Sequence, residues 1–183
     1  MKKRVFSLGV LALIVALPLA AQNNDAAMDG PPKGFESKPA LKLGAEAPPL
    51  KVSSFVKGST VTLEKGKTYV VELWATWCPP CREEFPELVA MQKQHRDAGL
   101  VILAVNQRDQ ELTTKAVQDF VHEYGVDFPV ALDNRGHTRR TFRLVGLPTL
   151  VFIDTAGVIQ GVHPGPATRA EMDNGLAAIL PAK

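Results

Sequence analysis

The sequence is poor in the side chains that most often carry chemistry. Among its 183 residues there are two cysteines and four histidines. The histidines, His95, His122, His137 and His163, have no paired spacing, so the four ligands of an ordinary zinc site are not assembled by pattern. An excess of one charge is also missing, since 21 basic residues face 19 acidic ones. Three of the basic residues are Lys2, Lys3 and Arg4. Without residues 1–21 the balance becomes 18 basic against 19 acidic, a formal −1. A chain so close to neutral offers no electrostatic footprint for nucleic acid or an anionic membrane surface. Internal repeats are absent. The one long apolar run, Val5 to Leu17, is followed by no nearby cysteine, which excludes a lipoprotein-type anchor at that junction.

That run nevertheless carries information. A positive start, an apolar stretch, the helix-breaking Pro18 and the small residues Ala20 and Ala21 read as a signal peptide over 1–21. Retention as an N-terminal membrane anchor is the alternative, although a spanning helix usually needs ~20 apolar residues. Residues 22–39, rich in Asn, Asp, Ala, Gly and Pro, read as a flexible linker. Residues 40–183 are then long enough for one domain with a substantial core.

Within that domain the apolar periods alternate. Val61-Thr62-Leu63 reads as a short strand, and Tyr69 to Trp74 as a buried central strand in which Glu72 is out of pattern. From Cys78 the period becomes helical through Phe85, Leu88, Val89 and Met91, and Gly99 supplies a stop. Leu100 to Val105 predicts another buried strand, Thr113 or Thr114 to Tyr124 a helix, and Phe128 to Leu132 a strand. His137 to Leu144 predicts a short helix with Arg139, Arg140 and Arg143 on a solvated face. Thr149 to Ile153 and Val158 to Val162 form a hairpin, and Thr168 caps a final helix. His163-Pro164-Gly165-Pro166 reads as a rigid loop without an evident purpose. Strands alternating with helices and ending in a hairpin predict an α/β fold with a mixed sheet.

The two cysteines stand together in Trp77-Cys78-Pro79-Pro80-Cys81, between the central strand and its helix. A thiol attacks only as its thiolate, and a helix start lowers a thiol pKa through its partial positive charge and free amides. Cys78 falls at the capping position and Pro79 at the first helical position. With Pro79 and Pro80 both lacking N–H groups, the amide of Cys81 becomes the nearest donor to the Cys78 sulfur. That predicts a thiolate less stabilised than in dithiols with a donor between the cysteines, and hence an electron-donating couple. Cys78 is the expected nucleophile, exposed ahead of the helix, and Cys81 the resolving thiol. A structural disulfide is permitted by export but would close too small a loop to stabilise much. Half of a metal site is the remaining alternative.

The stretch from Val70 to Leu88, VVELWATWCPPCREEFPEL, resembles the TlpA/ResA type of thioredoxin-like thiol-disulfide oxidoreductases. The likeness extends from Leu43-Gly44-Ala45-Glu46-Ala47-Pro48 to Gly146-Leu147-Pro148-Thr149 and Val151-Phe152-Ile153-Asp154. It implies a thioredoxin-like fold, a central mixed sheet flanked by helices, with an N-terminal extension of short strands. It also implies that Pro148 is cis and faces the dithiol, and that the backbone at Leu147 pairs with an extended substrate. Glu72 stands six residues before Cys78, where thioredoxins carry a buried acid and many TlpA/ResA-like proteins a neutral residue. Glu84, three residues after Cys81, matches an active-site glutamate of the ResA type. Either carboxyl, raised in pKa by burial, could take the proton of Cys81. Trp74 and Trp77 are expected to pack, with Trp77 also shaping the dithiol surface beside Pro79 and Pro80.

The expected activity is an exported dithiol reductant of protein disulfides, periplasmic or otherwise extracytoplasmic, with apocytochrome c suggested by the resemblance. Electrons would come from a membrane thiol-disulfide donor, because the periplasm is oxidising. No metal or organic cofactor is implied, and a monomer is expected. A disulfide oxidase or isomerase, and a metal-binding thioredoxin-like module, are the alternatives.

Overall fold

Residue parity along the central strand sorts the core. The computed structural model describes residues 41–59, 62–107, 113–143 and 145–180. In β2 (Thr68–Trp74) every residue is buried. Tyr69, Val71 and Leu73 join one apolar cluster, while Val70 and Trp74 join another on the opposite face. Glu72 shares the parity of Val70 and Trp74, so it enters the second cluster as a carboxylic acid among hydrocarbons.

Around β2 the described strands are β1 (Ser54–Lys57), β3 (Leu100–Asn106), β4 (Val130–Leu132), β5 (Thr149–Ile153) and β6 (Ile159–Pro164). Their order is β1-β4-β3-β2-β5-β6. The β2–β3 and β3–β4 pairs are parallel, and the outer pairs are antiparallel. Helices α1 (Pro79–His95), α2 (Thr114–Glu123) and α4 (Arg169–Ile179) supply Phe85, Leu88, Phe120, Met172 and Leu176 to the Trp74 face. The other face is covered by Phe142, just after α3 (His137–Thr141), and by Leu41, Leu50 and Val52. The result is the expected thioredoxin-like α/β sandwich.

Close fit fixes the far side of this layer. A Cβ on Gly175 of α4 would lie 2.3 Å from Cζ of Phe152, so the helix sits on the ring with nothing between them. At the end of α1 the buried Gln92 donates to the Leu100 carbonyl at 2.9 Å and accepts from the Ile102 amide at 2.7 Å. It thereby satisfies the stretch of β3 that β4, pairing only from Ala104 onward, leaves open.

Several expectations are corrected. Thr62 and Leu63 are not a strand. The Tyr69 hydroxyl accepts from the Glu64 amide and donates to the Thr62 carbonyl, so a side chain takes the place of a strand ladder there. Val61 lies outside the described residues. The N-terminal strand is instead β1, paired with β4 through a bulge. β4 starts at Val130 rather than Phe128, because Pro129 has no amide to give. α3 ends at Thr141, and Arg143 follows it with φ +49. Leu144 lies outside the described residues. α1 also ends earlier, at His95, with a 3₁₀ turn leading into Gly99 at φ +83.

Candidate active site

Four residues separate the end of β2 from the start of α1. Cys78 is its N-cap, with extended dihedrals of φ −85° and ψ 105°, and Pro79 and Pro80 occupy the first two helical positions. Neither proline can donate. The amide of Cys81 donates to Cys78 Sγ at 3.3 Å, and the Arg82 amide reaches the Cys78 carbonyl at 3.2 Å. The two sulfurs are bonded at 2.07 Å. Cys81 is fully buried, and Cys78 is only 3 % exposed, which corrects the expectation of an open nucleophile.

Access to Cys78 runs through a groove of about 380 Å³ bordered by Trp77, Pro79, Pro80, Arg139, Val145 and Leu147. Trp77 is 55 % exposed and borders that groove, so of its two expected roles it shapes the dithiol surface and is not buried in the core. Trp74 does pack, with its ring centroid 4.5 Å from those of both Phe85 and Phe120. The Leu147–Pro148 peptide is cis. Leu147 borders the groove, and Pro148 is buried and accepts the Gly165 amide on its carbonyl at 2.9 Å. The basic cluster is divided: Arg139 reaches the groove, Arg140 approaches His137 Nδ1, and Arg143 borders a separate cavity near Leu41.

Two acids are buried in the adjoining elements, Glu72 in β2 and Glu84 in α1. Glu72 is fully buried, and neither carboxyl oxygen has a hydrogen-bond partner among the described residues. Burial pushes its pKa well above the ordinary carboxylate range, and the neighbouring Glu84 pushes it the same way. Glu84 is 4 % exposed. Its Oε1 accepts the Ala167 amide, while its Oε2 is buried without a partner. Burial raises its pKa to about 7, against the Ala167 hydrogen bond and the facing His163, which both lower it. The structure therefore brings Cys78 together with Trp77, Pro79, Pro80 and Leu147 at the groove, bonds it to Cys81, and sets Glu72 and Glu84 as a mutually interacting pair of buried acids on β2 and α1. Among the described residues no three His, Cys, Asp or Glu side chains converge as metal ligands.

His163 is the neighbour that pattern reading left unassigned. Its only sequence signal is position, directly before Pro164-Gly165-Pro166. The structure folds that loop against Pro148 and Glu84.

Comparison with known proteins agrees with this geometry. The Redoxin family model matches residues 42–180. The thioredoxin-like protein YneN of Bacillus subtilis is 35 % identical over 138 residues, covering 74 % of this chain and 79 % of its own. The thiol-disulfide oxidoreductase ResA of Bacillus cereus is 32 % identical over 149 residues, covering 80 % and 84 %. A thioredoxin-family thiol:disulfide interchange protein from Chlorobium tepidum superposes with a TM-score of 0.64 at 30 % identity, over 75 % of this chain and 97 % of that one. With its fold, its Cys-Pro-Pro-Cys helix start and these relatives together, the chain belongs to the Redoxin family, as a thioredoxin-like protein of the TlpA/ResA type.

Proposed function

We propose that the protein is an extracytoplasmic thiol-disulfide oxidoreductase that works as a reductant of disulfides in other proteins. In its reduced form Cys78, at the helix tip, attacks a substrate disulfide that enters along the groove. One substrate sulfur leaves as a thiolate, and the other stays bonded to Cys78. Cys81 then attacks Cys78 Sγ, its thiol proton passes to the Glu84 or Glu72 carboxylate, and the second substrate sulfur departs. Two electrons have moved to the substrate, and the Cys78–Cys81 bond of the described structure is the product.

Each neighbour has a part in this scheme. Leu147, beside the cis Pro148, offers backbone to an extended substrate segment, and Trp77, Pro79 and Pro80 give it apolar walls. The missing amide of Pro80 leaves the Cys78 thiolate with little beyond the Cys81 N–H, which favours giving electrons away. The single observation that carries the reading is a bonded dithiol capping a helix start at the edge of an open groove. Resemblance to the TlpA/ResA type supports apocytochrome c as the substrate and a membrane thiol-disulfide carrier as electron donor, and the signal-peptide pattern over residues 1–21 supports a periplasmic location.

The test is capture. Reduced Cys81→Ser protein mixed with an oxidised apocytochrome c haem-site peptide should accumulate a disulfide-linked adduct through Cys78, visible by mass under non-reducing conditions. Absence of any adduct, with the Cys78 thiol accessible to alkylation, contradicts the reading.

A further inference from the structure

The segment from His163 to Ala167 touches three parts of the site. Gly165 donates its amide to the carbonyl of cis Pro148 at 2.9 Å. Ala167 donates its amide to Oε1 of Glu84. His163 Nε2 lies 3.1 Å from the Pro166 carbonyl, which can only accept. Nε2 therefore carries the hydrogen in that contact. Gly165 at φ +88 between two prolines holds the turn in one shape.

The charges around Glu84 are few. Glu72 faces it from β2 and His163 from the end of β6. His163 in turn faces Glu171 in the first turn of α4. Arg169, also in that turn, is engaged by Glu87, Asp173 and Gln94. Among the described residues, His163 is thus the basic group acting on Glu84.

We propose that His163 is a positioning residue for proton transfer at the dithiol: it closes the 163–167 loop onto Glu84, and its charge sets the pH at which Glu84 takes the Cys81 proton. The proposal rests on the reductant reading. In the step concerned, Cys81 S–H gives its proton to the Glu84 carboxylate. The Cys81–Cys78 bond forms, the bond from Cys78 to the substrate sulfur breaks, and the electron pair leaves with the substrate thiolate.

The experiment follows release of thiol from a mixed disulfide between Cys78 and a chromogenic aromatic thiol, across pH, in the full chain. Removing the cationic partner destabilises the Glu84 carboxylate, so His163→Gln should move the acid limb upward by about half a pH unit or more. On that limb the rate falls about threefold. His163→Lys, which keeps a positive charge, should bring the midpoint back toward wild type. Identical midpoints in all three proteins overturn the proposal, because a merely structural histidine would alter stability and leave the limb in place. Should the variants not fold, carboxyl-carbon NMR on the wild type decides. Glu84 must then show an inflection coincident with the His163 ring titration, and independent curves overturn the proposal. A wild type that never releases the aromatic thiol would instead overturn the reductant reading, and this proposal with it.

Discussion

The two ends of α1 treat buried polar groups in opposite ways. At its C-terminal end Gln92 enters the core, and both ends of its amide are hydrogen-bonded to β3. Toward its N-terminal end Glu84 has one bonded and one unpartnered oxygen, and Glu72 of β2, which it acts on, has two unpartnered ones. A buried polar atom without a partner costs about 1–3 kcal/mol, so the first arrangement stabilises the fold and the second works against it. Groups kept at such a cost are suited to proton transfer, since burial brings the Glu84 carboxyl to about 7, where it can both take and return a proton near neutral pH.

Substitutions can break this contrast. The largest effect is expected at the well-fitted end. Gly175→Ala drives a methyl into the Phe152 ring, and denaturant unfolding should show a loss of about 3 kcal/mol, with thiol exchange in the folded fraction unchanged.

The pH dependence of stability sharpens it next. Glu84 has its folded-state pKa raised from 4.5 to about 7. Over that window the native chain holds a proton that the unfolded chain has released. The stabilisation is complete below about pH 4.5 and is lost as pH rises to about 7, by on the order of 3 kcal/mol. Urea unfolding of the oxidised protein at stepped pH should show this slope, and Glu84→Gln should flatten it. Glu72, also raised, adds a loss of the same sign.

Smaller effects distinguish the two ends directly. Gln92→Leu strips the Leu100 carbonyl and the Ile102 amide of their partner and should cost about 2 kcal/mol without altering the rate of mixed-disulfide resolution. Glu72→Leu should do the reverse, raising stability at pH 7 by about 1 kcal/mol while slowing resolution about tenfold or more. Stopped-flow release of the substrate thiol checks both.

Much of this architecture was legible in the sequence because the relevant signals are local. Tyr69 to Trp74 is apolar without interruption, Cys78-Pro79 marks a helix start, and Thr168 with Glu171 forms the capping box that the structure contains. The errors fall where a distant partner decides. β1 exists because β4 offers an edge, and the Ser54–Lys57 pattern does not announce it. Thr62 and Leu63 alternate as a strand should, but a tyrosine hydroxyl from β2 engages the backbone on either side of Leu63. Trp77 looks like a core residue by type and stands 55 % exposed because it lies outside the strand parity that buries Trp74. At the site, Glu72 was visible as the one charge in an apolar strand. His163 was not, because its link to Glu84 spans β6 and α1 and leaves no periodic trace.

The central claim is that this dithiol gives electrons away, and its equilibrium reduction potential tests that most directly. Equilibration of the Cys78–Cys81 couple with defined ratios of reduced and oxidised glutathione or dithiothreitol should place it below about −180 mV, on the reducing side of protein disulfide isomerase. A potential at or above about −120 mV, where strong disulfide donors lie, would contradict the account.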